Sequence, residues 1–559
     1  MVKKGLLVLF VLTVVCCAPR ESRTLEYAIS PVLKDSVRQL RVELEFPAQS
    51  GGTTKLSYPD NAWGQKELHN CITDIRLLGM EGKISMQKDS GWIVVQHPKE
   101  VDRIKIQYLL QQDYDYPFST KTSYRPVIDE RYFHLFSHTL FAVPHKDKEP
   151  WDVVLRWEGF PEGYSIHNSF GSGERTQYLN GIFLEAFGQA IFVGGDFRVH
   201  KILVAENEVY LATRGTWIPF TDGEVVELLK NTITGQRDFW KDHSQPYFTV
   251  TMHPFPQERG SSFQGTGLTN SFATSMSNNG HSDIGQLVYL FNHELMHNWI
   301  GRIIENVNEE EQYWFSEGFT EYYTYKNIAR NQINGHGPSY FIDGINETIR
   351  NLHGSPVREA PNAEINYDNF WGNRDYGKLP YYRGCLFAFL LDYGIQLKSN
   401  GEQSLDDLMR QILEDSKNNG QKLSHDYFLE VASPYLDDVR EDFEHCIVQG
   451  KPLPLEKMFR ALGLQYGVGA ELYELGFELS DDRKEVLSVV PGSSAQLSGL
   501  RKGDMLFSRS IYYGDATQPV QLGILRDGES KEISFYPIKK AKVPQIRQSV
   551  ENQKKLRLK

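Results

Sequence analysis

Apolar and polar residues alternate with a period of two through the first third of the chain. "LRVELEF" from Leu40, "RIKIQYLL" from Arg103 and "DVVLRW" from Asp152 each turn one face inward and one outward, which predicts half-buried β-strands. Turn-formers such as "QSGG" and "FGSGE" separate the runs. After "ATRGTWIPF" the period lengthens. A helix is expected from about Gly223 to Lys241, with Asp222 as its cap. A strand, "YFTVTMH", and a glycine-broken segment, "GTGLTNSFATSMS", follow. The next expected helix, capped by Ser282, carries "FNHELMHNWIG", and another runs from about Gln312 to Ala329. "PYYRGCLFAFLLDYGIQLK", "SLDDLMRQILEDS" and "DYFLEVASPYL" continue the helical pattern. Strands return from about Gly463, and the stretch from Lys539 is basic and polar.

These patterns predict a multidomain α+β chain. Residues 19–206 form an N-terminal β-sandwich-like domain, 207–455 a mainly α domain, 456–540 a small β domain and 541–559 a basic mobile tail. Residues 1–18, "MVKKGLLVLFVLTVVCCA", join two lysines to an apolar run, Gly5–Val15, too short to span a bilayer. They read as an export signal, which places the protein in the periplasm, at the cell surface or outside the cell. Cleavage follows Ala18, or a lipid is attached at Cys16 or Cys17. No second long apolar run occurs, so no transmembrane span is expected in the mature chain. Cys71, Cys385 and Cys446 lie far apart without metal-type pairing and read as plain thiols. The formal net charge of −12 argues against a nucleic-acid partner, which would call for a basic face.

The candidate chemistry sits in "FNHELMHNWIG". On a helix, positions four apart differ by about 40°, so His293 and His297 project together. Two imidazoles at that spacing suit zinc, and the adjacent Glu294 suits a general base acting on a water. The surrounding Leu287, Val288, Leu290, Phe291, Leu295 and Met296 are apolar, and burying these three polar residues there without a partner would be costly. In "WFSEGFTEYY", Glu317 follows His297 by 20 residues and offers a third ligand for one Zn²⁺ ion. Glu321, one turn further, is placed to hydrogen-bond a ligand histidine.

His293–His297, the following Asn298-Trp299 and "WFSEGFTEYY" resemble the gluzincin zinc metallopeptidases, and within them the glycyl-aminopeptidase family, the sixty-first among metallopeptidases. The resemblance implies an N-terminal β-domain, a thermolysin-like catalytic domain and a C-terminal PDZ domain. "VLSVVPGSSAQLSGLRKGDMLFS" is similar to a PDZ core. It further implies hydrolysis of peptides, and capture of a peptide C-terminus by the PDZ-like domain. The family's Pro-Tyr-x-Lys-Gly segment is similar to Pro380–Gly384 here, which implies that Tyr381 steadies the oxyanion. Tyr376 is a lesser candidate, and Arg383 stands in place of the lysine.

The family's glycine-rich substrate strand is similar to Gly265, Thr266, Gly267, Leu268, Thr269 and Asn270. Its glycines would let a peptide pair with the strand. Thr269 stands where a carboxylate would hold the substrate's α-amine, so endopeptidase action stands beside aminopeptidase action. Two other readings share the sequence. One is a catalytically quiet peptide-binding scaffold; the other is a zinc hydrolase of a non-peptide substrate such as an epoxide.

Overall fold

The computed structural model describes residues 23–34, 36–114, 118–145, 147–258 and 260–558. The expected export signal, with Cys16 and Cys17, lies outside the described residues. The chain is a multidomain α+β protein, β-rich at its start and helical further on. It divides into two compact units whose border differs from the expected one at 206/207. One unit holds the residues up to Ile202, Glu208–Ile218 and Pro246–Ser282; the other holds Leu203–Asn207, Pro219–Gln245 and everything from Asp283. No helix among the described residues is long and apolar enough to cross a membrane.

In the first unit the alternating runs become sheets. A six-stranded sheet runs in the order Thr176–Ile182, Trp151–Trp157, Thr24–Lys34, Val37–Pro47, Arg103–Gln111, Ile72–Leu78. Its inward residues, among them Tyr27, Ile29, Val42 and Ile106, share one core with Leu56, Ile93 and Val95 of a four-stranded sheet. A further five-stranded sheet contains β1 (Asn207–Thr213), β2 (Tyr247–Phe255), β3 (Phe263–Leu268) and β4 (Ser271–Ser277). β1, β2 and β4 are mutually parallel, and β3 closes the edge antiparallel to β4.

The second unit is built on helices α1 (Asp222–Trp240), α2 (Ile284–Glu294), α3 (Glu309–Ser316), α4 (Gly318–Arg330), α5 (Pro338–Gly354), α6 (Arg374–Lys398) and α7 (Leu405–Asn419). Two caps fall one residue from where they were expected. Thr221, not Asp222, caps α1 in a capping box with Glu224. Asp283, not Ser282, caps α2 with Gln286, while the Ser282 hydroxyl pairs with that of Ser261. In each pair both residues can cap, and the carboxylate of Asp283 also gains from the helix dipole.

α4 and α6 cross at the centre of this unit through two glycines. A Cβ on Gly384 would stand 1.9 Å from the Trp314 carbonyl oxygen and 2.8 Å from Gly318 Cα. A second tie is ionic and buried: Lys326 Nζ lies 2.7 Å from both Asp392 and Asp406, and Arg330 reaches Asp406 at 2.6 Å. A third joins α1, α2 and α4 through Asn292, whose amide donates to Thr232 and accepts from Asn327.

The described residues of the basic tail form regular structure. Residues to Ile546 belong to β6 (Ile538–Ile546), which pairs with β5 (Tyr466–Tyr473), and α8 (Val550–Lys555) follows. Asn552 and Leu556 are buried, and Asn552 bonds to the backbone of Gln465 and Arg547. Composition alone suggested solvation; pairing of the backbone and two buried side chains outweigh it. Cys71, Cys385 and Cys446 are buried and free.

Candidate metal centre

The α-helix that carries the first histidine stops at Glu294. Leu295 leads into a 3-10 turn, Met296–Asn298, so His297 sits on the tighter turn and not on a continuing α-helix. The two imidazoles still converge, with centroids 5.1 Å apart and rings nearly perpendicular. The expected helix over 312–329 is two helices meeting at Glu317, which ends α3 and begins α4. That junction, beside the Gly318–Gly384 crossing, brings Glu317 to the histidine pair.

Glu317 Oε2 lies 3.4 Å from His293 Nε2 and 3.8 Å from His297 Nε2. The three ligand atoms all fall within 4.8 Å of one another, and no other group of this kind occurs among the described residues. Ligands about 2.0–2.1 Å from a tetrahedral zinc stand roughly 3.3 Å apart, so the set is close to size. Glu317 Oε2 is buried and has no hydrogen-bond partner. A cation between the three groups would satisfy it. The residues therefore fit a zinc ion.

The far side of each histidine is held. His297 Nδ1 lies 3.1 Å from the Ile300 carbonyl, which draws the proton to Nδ1 and leaves Nε2 free to ligate. His293 Nδ1 faces Glu321 at 3.2 Å. Glu321 is buried and also accepts from Tyr289 at 2.6 Å and Tyr325 at 2.5 Å. Burial alone would drive the His293 imidazolium to neutrality, but the Glu317 and Glu321 carboxylates beside its two nitrogens outweigh it and lift its pKa to about 10. Burial likewise opposes the Glu317 charge, yet the two histidines hold it down to about 2.

Glu294, next to His293, is half-buried. Burial pushes its carboxyl up, and the neighbouring histidine charges only partly counter this. Tyr381, on α6, stacks on His293 with centroids 5.6 Å apart. Burial first, then the Glu317 carboxylate, push its phenol far above the usual range, so it stays a neutral donor. Lys378 Nζ lies over the Tyr381 ring at 4.0 Å from its centroid.

Other expected residues fall elsewhere. Arg383 is buried and donates to the Arg358 and Ala360 carbonyls, so it cannot meet substrate. Two positions along a helix rotate a side chain by about 200°, so Tyr381 and Arg383 cannot share a face. The Tyr376 hydroxyl donates to Glu364.

In the first unit, Leu268 is buried in the core rather than presented to a ligand. Gly265 leaves room for the Phe272 ring, which a Cβ would meet at 2.1 Å, whereas nothing lies within 4 Å of a Cβ on Gly267. Thr269 and Asn270 make a two-residue hairpin turn between β3 and β4, with Asn270 at φ 50°. The Thr269 hydroxyl is committed to the Ala186 carbonyl at 2.7 Å. Tyr289, Tyr325 and Lys378 escaped the sequence reading. Tyr289 could have been found, since it precedes His293 by one helical turn.

No protein-family model matches this chain, and no curated protein matches it. Solved structures do. The chain is similar to an aminopeptidase N family protein from Idiomarina loihiensis, with TM-score 0.70 and 16% identity over 95% of this chain and 100% of that one. It is also similar to a mutant of a two-domain M1 zinc metallopeptidase bound to L-arginine, with TM-score 0.45 and 15% identity over 77% of this chain and 94% of that one. Yeast LTA4 hydrolase in complex with bestatin gives TM-score 0.42 and 14% identity, over 78% and 68%. At 16% identity the first of these likenesses shows a shared fold.

Proposed function

We propose that the protein is a zinc-dependent metallopeptidase in which Glu294 is the general base and Tyr381 the oxyanion donor. The observation that carries this is the convergence of His293, His297 and Glu317 around an unpartnered carboxylate oxygen, with Glu294 and Tyr381 beside them. A fold shared with an aminopeptidase N family protein supports it. His293, His297 and Glu317 would hold the ion, which when bound supplies a Lewis acid to the scissile carbonyl and acidifies water. Glu294 takes the proton of the attacking water on its carboxylate and returns it to the leaving amine. Its raised proton affinity suits both transfers. The neutral Tyr381 phenol donates to the oxygen that becomes negative.

Thr269 cannot balance an ammonium group, and its hydroxyl already has a partner. That favours a peptidase indifferent to a free α-amine. β3 is an edge strand of its sheet among the described residues, and such an edge can offer backbone groups to an extended peptide. The C-terminal strands are PDZ-like in sequence. Strand Phe477–Leu479 has only three residues, and Glu474 before it pairs with Lys539, which favours packing over capture of a carboxylate. Mature exported chain is the form we expect to act.

A mixed peptide library containing N-acetylated members, digested and read by mass spectrometry, tests the reading. Zinc-dependent cleavage of free and acetylated members is expected, and Glu294→Gln should keep zinc and lose turnover. Wild-type turnover by that variant would sink the mechanism.

A further inference from the structure

Helix α6 carries two cations in line with Tyr381. Arg374, Lys378 and Tyr381 are spaced by four and three residues, so they lie within about 60° of one another around the axis. Arg374 stands about 10 Å along the helix from Tyr381, the reach of three extended residues. Both cations are exposed. Neither has a hydrogen-bond or ion-pair partner among the described residues. Lys378 is fixed over the Tyr381 ring, and its charge also acts on Glu294. With Tyr381 as the oxyanion donor, Lys378 borders the space in which the scissile bond would lie. Arg374 lines a cavity of about 1140 Å³ together with Arg350 and Tyr382. Arg374 thus borders open space at its end of the row. Three acids, Glu347, Glu471 and Asp515, also line that cavity, all from other elements, so the positive charge nearest Tyr381 is that of Lys378.

Resting on the peptidase reading above, we infer that Lys378, seconded by Arg374, selects peptides with a carboxylate close to the cut, from an aspartate, a glutamate or a free C-terminus. The site then reads an anion on its substrate where an aminopeptidase would read an ammonium. Lys378 is a specificity-determining residue in this scheme; it exchanges no proton.

The test uses the full chain with zinc. In library digests, cuts with an acidic residue or C-terminus within three positions should exceed neutral ones by about tenfold, the scale of one partly solvated ion pair. Lys378→Glu should reverse the preference toward lysine and arginine, and Arg374→Glu should weaken it. Both positions are exposed, and bound zinc reports that each variant is folded. Apart from turnover, fluorescence anisotropy of the metal-free protein should show a glutamate-rich labelled peptide binding more tightly than a lysine-rich one, with the difference fading as salt rises. Cleavage without acidic enrichment overturns the inference. So does a Lys378→Glu variant slowed equally on all peptides, since that would mean the lysine only tunes Glu294. Absence of any cleavage would defeat the peptidase reading instead, and equal binding of the two labelled peptides would then defeat this inference on its own evidence.

Discussion

Gly384→Ala puts the architecture of the site to a direct test. The added Cβ would begin 1.9 Å from the Trp314 carbonyl oxygen, and contacts under 3.0 Å are essentially never seen. The shortfall, 3.0 − 1.9, is about 1.1 Å, and backbone rather than a flexible side chain stands in the way. α6 must therefore move off α3 and α4 by roughly that distance. Gly384 is one turn from Tyr381 on α6, and Trp314 is one turn from Glu317 on α3. The displacement thus opens the oxyanion donor away from the metal ligands. A misplacement of about 1 Å costs on the order of 100-fold in rate, or about 2.7 kcal/mol, while overpacking costs about 1–3 kcal/mol of stability. Three measurements separate these effects: zinc content, denaturant midpoint, and kcat/KM on a cleaved peptide. Zinc should remain near one ion per chain, since its three ligands lie on α2, its following turn and the α3–α4 junction. The midpoint should fall modestly and kcat should fall by about two decades. Gly354→Ala is the control, because a Cβ there meets nothing within 4 Å. A Gly384→Ala variant with wild-type kcat would refute the claim that this crossing sets Tyr381 against Glu317.

Three further outcomes are expected. Glu321→Gln removes the carboxylate behind His293, and zinc affinity should drop by about 10–100-fold, measured by competition with a chromophoric chelator. Lys326→Met leaves Asp392 in the core without a counter-charge, while Asp406 keeps Arg330, and should cost about 3–5 kcal/mol in denaturant unfolding; Lys326→Met with Asp392→Asn should recover part of it. In the first unit, burial drives the His134 and His167 imidazoles down to about 3 and His253 well below its usual value. A folded-state pKa below the unfolded one means the unfolded chain binds more protons, so stability is whole above about pH 6.5 and is lost as pH falls. At pH 5 each histidine forfeits about 2 kcal/mol, and acid unfolding followed by circular dichroism should be steep between pH 6 and 4. A flat profile there would contradict the burial of these rings.

The metal set was legible because its spacing is short-range. His293, Glu294 and His297 lie within five residues, and Glu317 follows on the next helical segment. What the sequence conceals depends on rotation and on partners far along the chain. Arg383 is charged and close to Tyr381 in sequence, yet helix geometry turns it into the core. Leu268 and Gly265 lie in a strand that reads as substrate-facing, but the ring of Phe272 and the core of the unit claim them. Caps slipped by one residue where two neighbours can both cap. The cation row along α6 went unread because a lysine and an arginine on a helix are ordinary until something of known chemistry appears on the same face.

β6 and α8 change what residues 538–558 are for. Among the described residues β6 is the one sheet partner of β5, and Asn346 of α5 exchanges two hydrogen bonds with Ile546. α8 then seals the end through Asn552. β6 and α8 are thus a clasp fastened onto α5. A chain shortened at Lys540 to discard a supposedly loose end would lose the clasp. The damage would reach α5, far from the cut in sequence.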